Sequence, residues 1–312
     1  MTMPSAATVQ TVTVRAAAAI AFAMLAVLGA LRVAAHPQAS QASVLKDIPY
    51  ATVGARTLAL DLQRPAGVAH PPLLVWVHGG AWRKGDKSSA PSGFVDRGLA
   101  VASLDFRLST EARFPAMVHD IKGAIRFLRA NAATYGYRAE RIAIGGDSSG
   151  GHLAALVGVT AGSAELEGTI GGHADQSSAV QAILDYYGAT DLTTILEQST
   201  PFGLDVRRPA LDLLFGGPPD IKRALAELAS PVRHVDASDP PLLIFHGDRD
   251  PQMPINQSHE LQGAYEQLGL DVTFVVVHGS AHGGDAFYTG KNLDRAVDFL
   301  RRTIGGVDAG GR

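Results

Sequence analysis

Ser148 lies in Gly146-x-Ser148-x-Gly150, between the apolar residues Ile142 to Ile144 and the apolar run Leu153 to Val157. That order reads as a strand, a sharp turn and a helix, with glycines removing the side chains that would block a strained serine at the turn. Such a turn presents a hydroxyl for nucleophilic attack, but an aliphatic hydroxyl is a poor nucleophile at neutral pH. It needs a base within hydrogen-bond reach, and the base needs a carboxylate that fixes its tautomer. Two later segments hold candidates, His246-Gly-Asp248-Arg-Asp250 and His278-Gly-Ser-Ala-His282. Glycines 283 and 284 mark His282 as the loop-borne base, leaving His278 to cap a strand or lie at the surface; Asp248 and Asp250 compete for the role of acid. Attack on a carbonyl also creates an oxyanion, and losing one backbone N–H aimed at it typically costs about 3 kcal/mol of barrier. Ser149, at the start of the helix, offers one such donor, and Gly79 and Gly80 offer others. Trp82 follows closely, either lining a substrate pocket or packed beside the loop.

The elements that must position these residues can be read from periodicity. Ser43 to Leu62 alternates apolar and polar residues about a turn at Gly54-Ala-Arg56, which predicts two antiparallel strands. Pro72 to Val77, Leu99 to Leu104, Val180 to Tyr187, Pro241 to Phe245 and Asp271 to Val277 predict further strands, several of them continuous apolar runs buried on both faces. Pro115 opens a helical pattern through Met117, Ile121, Ile125 and Leu128, and further helical patterns surround Leu261 to Leu268 and Leu293 to Leu300. Residues 161–178 read as loop, and the proline-rich stretch Thr190 to Ser238 as short helices lying over the sheet. Strands alternating with helices imply a mainly parallel α/β sheet covered on both faces, with its ligand site beyond the carboxyl ends of the strands. Four strand ends there carry His78-Gly-Gly, Asp147-Ser148, Asp248-Arg-Asp250 and His278 to His282.

Taken together, His78-Gly-Gly-Ala-Trp82, Gly146-Asp-Ser-Ser-Gly-Gly151, Asp250 and His282 resemble the α/β-hydrolase serine esterases of the bacterial feruloyl/acetyl-xylan esterase and hormone-sensitive-lipase-like groups. Further matches are Asp105-Phe-Arg-Leu-Ser109, Asp120 to Asn131 and Tyr187-Gly-Ala-Thr-Asp-Leu192, so the resemblance runs from about Ser43 to Thr303. It implies an α/β-hydrolase fold with a small, partly helical cap region, a triad in the order Ser148, Asp250, His282, and no cofactor. The resemblance selects Asp250 over Asp248 as acid. Two departures stand out: Ala81 replaces a third glycine, and Ser149 replaces a commoner alanine. His36 to Gln41 is too short for the amino-terminal helical cap of the hormone-sensitive-lipase-like group, which favours the feruloyl/acetyl-xylan side and an open cleft. The implied reaction is hydrolysis of short-chain or carbohydrate-linked acetyl or feruloyl esters, on a small molecule or a polysaccharide. Alternatives are an arylformamidase-like amidase, since His-Gly-Gly-x-Trp also resembles that oxyanion motif, or a non-catalytic binding module on the same fold.

Composition narrows the field. The 312 residues are 46% hydrophobic and 18% charged with net charge −3, which gives no electrostatic case for a nucleic-acid partner. With no cysteine there is no disulfide, thiol nucleophile or thiolate metal site, and no histidine spacing makes a metal motif. At the amino terminus, Arg15, the uncharged run Ala16 to Leu31 and Val33-Ala-Ala35 resemble a secretory signal. The expectation is a signal peptide over 1–35, a catalytic domain over 36–304 and a mobile tail over 305–312, in a secreted or periplasmic protein. Arg32, close to the cut, keeps an uncleaved membrane anchor as the alternative, and only then is a membrane a partner.

Overall fold

The computed structural model describes residues 42–305. The expected signal segment with its cleavage site, and the tail beyond residue 305, lie outside the described residues. Among the described residues, no helix is long and apolar enough to cross a membrane.

Eight strands form one sheet: β1 (Ser43–Val53), β2 (Arg56–Arg64), β3 (Pro72–Val77), β4 (Ala100–Leu104), β5 (Arg138–Asp147), β6 (Ala182–Tyr186), β7 (Leu242–Gly247) and β8 (Val272–Val277). Their order is β1-β2-β4-β3-β5-β6-β7-β8. The pairs β1–β2 and β2–β4 are antiparallel and every other neighbouring pair is parallel. The amino-terminal hairpin therefore caps one edge of an otherwise parallel sheet.

Side-chain alternation builds a core on each face. Along β3, Leu73, Val75 and Val77 join one cluster, whereas Leu74 and Trp76 join the other. The first cluster packs against α1 (Ala116–Ala130) through Met117, Ile121 and Leu128, and against α2 (Ser149–Gly158) through Leu153 and Leu156. It also takes in α3 (Pro201–Phe215) and α4 (Asn256–Gln267), the latter through Leu261 and Tyr265. The opposite cluster is covered by α5 (Gly290–Ile304), whose Leu293, Val297 and Leu300 recur at helical spacing. This is the α/β-hydrolase fold expected from the alternation of apolar runs.

The proline-rich region departs from expectation. Instead of short pieces alone it contains α3, fifteen residues long with Pro209 inside it. A proline removes one backbone donor and crowds the preceding turn, so such a helix needs support elsewhere. Thr200 supplies it at the amino end by accepting the Gly203 N–H, and Ala210, Leu211, Leu214 and Phe215 supply it by burial. Residues 161–178 are loop apart from one helical turn over Ala164–Glu167. The basic face of α1 pins that loop: Lys122 and Arg126 both bond Glu167, and Arg129 donates to the Ser177 and Ala179 carbonyls.

Candidate active site

The central strand β5 runs directly into Ser148, which holds φ 53°, ψ −120° before α2 begins. A β-carbon on Gly150 would lie 2.1 Å from the Val77 carbonyl oxygen, and one on Gly146 would lie 2.5 Å from the same atom. The elbow glycines are thus required by the close approach of β3 as well as by the strained serine. Here β3 delivers its loop, His78 to Trp82, against the start of α2.

Ser148, Asp250 and His282 meet although 134 residues separate the first from the last. His282 Nε2 lies 2.9 Å from Ser148 Oγ, and Nδ1 lies 2.6 Å from Asp250 Oδ2. An ionised carboxylate can only accept a hydrogen bond, so Nδ1 carries the proton it donates and Nε2 is left as an acceptor for the Ser148 hydroxyl. Asp250 Oδ1 accepts the backbone N–H groups of Gln252 and Met253, each at 2.8 Å. Burial alone would raise the Asp250 carboxyl, but the neighbouring His246 and His282 imidazoles and the Met253 N–H outweigh it and hold the group well below the usual carboxylate range.

The losing candidates for acid and base pair with each other. Asp248 accepts from Gly279 N–H and lies 2.8 Å from His278 Nδ1 at the surface. Together with Arg249 N–H to the Ser280 carbonyl, this joins the acid loop to the histidine loop.

The oxyanion loop requires one correction. Gly79 was expected to offer its N–H to an oxyanion, but that N–H donates to Asp147 Oδ1 at 3.1 Å. A β-carbon on Gly79 would lie 2.5 Å from the other oxygen of the same carboxylate. The glycine is there for that close approach. Gly80 and Ala81, at φ 121° and 54°, turn the loop back on itself. Their N–H groups donate to no other group among the described residues, and Ser149 N–H, first in α2, has no partner inside its helix. The N–H groups of Ser149, Gly80 and Ala81 are thus the ones left without a partner beside Ser148 among the described residues. Burial raises the Asp147 carboxyl, opposed by the Gly79 hydrogen bond.

Residues 60–265 match the BD-FAE family. The chain belongs to this family of α/β-hydrolases. The BD-FAE chain is 32% identical over 278 residues to esterase LipQ of Mycobacterium tuberculosis, covering 85% of this chain and 63% of that protein. It spans between about half and two thirds of the length of such curated relatives. A truncated carbohydrate esterase from gut microbiota superposes with TM-score 0.76 at 30% identity, over 85% of this chain and 97% of that one. Esterase Est2 of Thermogutta terrifontis, with propionate bound, superposes with TM-score 0.68 at 26% identity, over 86% and 97%.

In this BD-FAE chain a cavity of about 20 Å³ opens beside Ser148, walled by Ala81, Trp82, Val206, Ala210 and Met253. That is space for one water or one methyl group. A groove of about 640 Å³ between β8 and α5 is far larger, but none of the residues around Ser148 lines it. Trp82 lines the small cavity and is also only 3% exposed, its Nε1–H donating to His152 Nδ1 at 2.9 Å. Trp82 is thus packed beside the loop while also bordering this cavity. His78 is buried and stacked on Phe106 with ring centroids 4.5 Å apart. Among the described residues no group of three or more His, Cys, Asp or Glu is placed to hold a metal ion.

Sequence reasoning missed Val206, Ala210 and Arg207, because a proline-punctuated stretch gives no sign that it forms one helix over the serine. Arg207 is buried and donates to Ser199 Oγ and to the Gln252 carbonyl, tying α3 to the acid loop. Burial pushes its guanidinium down to about 10. The space beside Ser148 is accordingly walled on one side by α3.

Proposed function

We propose that this protein is a carboxylic-ester hydrolase that forms an acyl-enzyme on Ser148 and prefers short acyl groups carried on a small molecule or a carbohydrate. One observation carries the reading: the Ser148–His282–Asp250 relay, with contacts of 2.9 and 2.6 Å, opens on a cavity of methyl size. His282 Nε2 takes the Ser148 proton as Oγ attacks the ester carbonyl, and Asp250 stabilises the imidazolium that forms. The developing oxyanion faces the N–H groups of Ser149, Gly80 and Ala81. The leaving alcohol takes its proton from His282, and water then enters by the same route in reverse to release the acid.

The acyl group points into the space between Trp82, Val206 and Ala210, where an acetyl methyl fits without displacing a side chain. The names of the similar proteins, esterase and carbohydrate esterase, support the same class of substrate. We also propose export to the periplasm or medium, directed by residues 1–35; a mature chain that still begins at Met1 after expression in a bacterial host would refute cleavage there.

The test of activity is a p-nitrophenyl ester series from acetate to octanoate, with methyl ferulate, acetylated xylan and an isosteric amide, on wild type and Ser148→Ala. The expected result is highest kcat/KM on acetate, a fall of at least about tenfold by hexanoate, and no turnover in the variant. Unchanged turnover by Ser148→Ala would overturn the mechanism. Turnover of the amide above the ester would replace the esterase reading with an amidase one.

A further inference from the structure

His246 is the penultimate residue of a buried strand, and no step of the proposed reaction uses it. It is fully buried, on β7, one residue before the loop that carries Asp250. Its Nε2 lies 3.0 Å from the Met253 carbonyl oxygen and 3.5 Å from Asp250 Oδ2. Both are acceptors, so Nε2 carries a proton. Nδ1 lies 2.7 Å from the buried Ser258 Oγ on α4, and with neutral His246 it accepts the serine hydroxyl proton.

Oδ2 is the same oxygen that receives His282 Nδ1–H. The carboxylate therefore sits between two imidazoles: one is the proposed base, and the other is held from behind by a serine. We propose that His246 is a positioning residue for the reaction, fixing Asp250 Oδ2 against His282 and withdrawing part of its negative charge. This rests on the reading of Ser148, Asp250 and His282 as a catalytic relay. The physical consequence has a definite sign. An oxygen relieved of the His246 N–H concentrates more charge on His282, which favours the imidazolium and leaves less neutral base at a given pH. Asp250 Oδ1 stays tied to the Gln252 and Met253 N–H groups, so the loss of orientation falls on Oδ2, which keeps only His282 to fix it.

Other charged or titratable groups face this region. Tyr187 has its ring centroid 4.8 Å from that of His282 and 6.5 Å from that of His246. Asp147 and Asp185 interact electrostatically with His282 and His246 respectively, and Arg207 with Asp250. All of them are left intact in the comparison that follows.

The experiment is the pH profile of kcat and kcat/KM for p-nitrophenyl acetate on wild type, His246→Leu, His246→Gln and Ser258→Ala, with Ser148→Ala and Asp250→Asn alongside and circular dichroism as the check of folding. For His246→Leu the expected result is a roughly tenfold loss of kcat, KM within about twofold, and an acid limb moved up by about half a pH unit. His246→Gln keeps an N–H donor and restores most of kcat and of the limb. Ser258→Ala moves the limb in the same direction by less. An unmoved acid limb in folded His246→Leu would overturn the proposal. If that variant does not fold, an unmoved limb in Ser258→Ala would do so. Failure of the underlying relay would look different: Ser148→Ala or Asp250→Asn would keep wild-type turnover.

Discussion

The buried pair Trp82–His152 makes a quantitative prediction about acid stability. His152 is on α2, directly beneath the oxyanion loop, and is fully buried. Its Nδ1 faces the Trp82 Nε1–H, a donor only, and its Nε2 lies 2.7 Å from the Ala229 carbonyl oxygen, an acceptor only. The ring is therefore neutral with its proton on Nε2, and protonating Nδ1 would set two N–H groups against each other. Burial pushes His152 down to about 4, whereas an unfolded histidine protonates near 6.5. Between these values the unfolded chain binds a proton that the folded chain refuses, so stability falls as pH drops from about 6.5 to about 4. Linkage between pH 7.5 and 5.0 is worth about 2 kcal/mol, since the full gap of about 2.5 pH units corresponds to about 3.4 kcal/mol. His152→Gln is the matched control: its amide oxygen accepts from Trp82, its amide nitrogen donates to Ala229, and it does not titrate. Asp185 and Asp239, raised by burial to about 6 and about 7, titrate in the same window but do so in both proteins. The assay is urea unfolding of both proteins at pH 7.5 and 5.0, and wild type should lose about 2 kcal/mol more than the variant. Equal losses would refute the buried neutral histidine.

Two further expectations concern the elbow and its partner loop. Gly150→Ala places a β-carbon 2.1 Å from the Val77 carbonyl and 2.6 Å from that of His78, so strand β3 must move; a fall in unfolding free energy of about 1–3 kcal/mol with loss of esterase activity is expected, and an unchanged melting curve would contradict the packing. Asp147→Ala strands the Gly79 N–H and should lower kcat about tenfold, while Asp147→Asn keeps an acceptor and should stay within about threefold of wild type. Steady-state kinetics on p-nitrophenyl acetate separates the two, and equal losses would mean that charge rather than loop anchoring matters.

The sheet was legible because its strands are apolar runs with abrupt polar ends. Leu73 to Val77 alternates between two cores with nothing exposed, and such a segment admits few other placements. The meeting of Ser148, Asp250 and His282 was legible for a related reason: each follows a strand, and parallel strands bring their carboxyl ends together. Hydrogen bonds that cross between loops were hidden. Gly79 and Gly80 look alike in sequence, and only the position of the Asp147 carboxylate shows that one N–H is spent on the scaffold while the next is free. Asp248 and His278 likewise gave no sign of being partners.

The same distinction explains why α3 was the least readable part of the site. Its prolines argue locally for interruption, whereas the helix is held by contacts to segments remote in sequence. Thr200 Oγ1 donates to the Pro251 carbonyl and Arg207 to that of Gln252, the two residues that follow Asp250. Residues that line the cavity beside Ser148 are therefore carried on the element that also braces the Asp250 loop. A substitution in α3 that alters acyl size preference, such as one at Val206 or Ala210, acts close to the supports of Asp250. Under the proposed mechanism, substitutions that change acyl preference should also change kcat on acetate, and a shift in preference with kcat on acetate unchanged would separate the two.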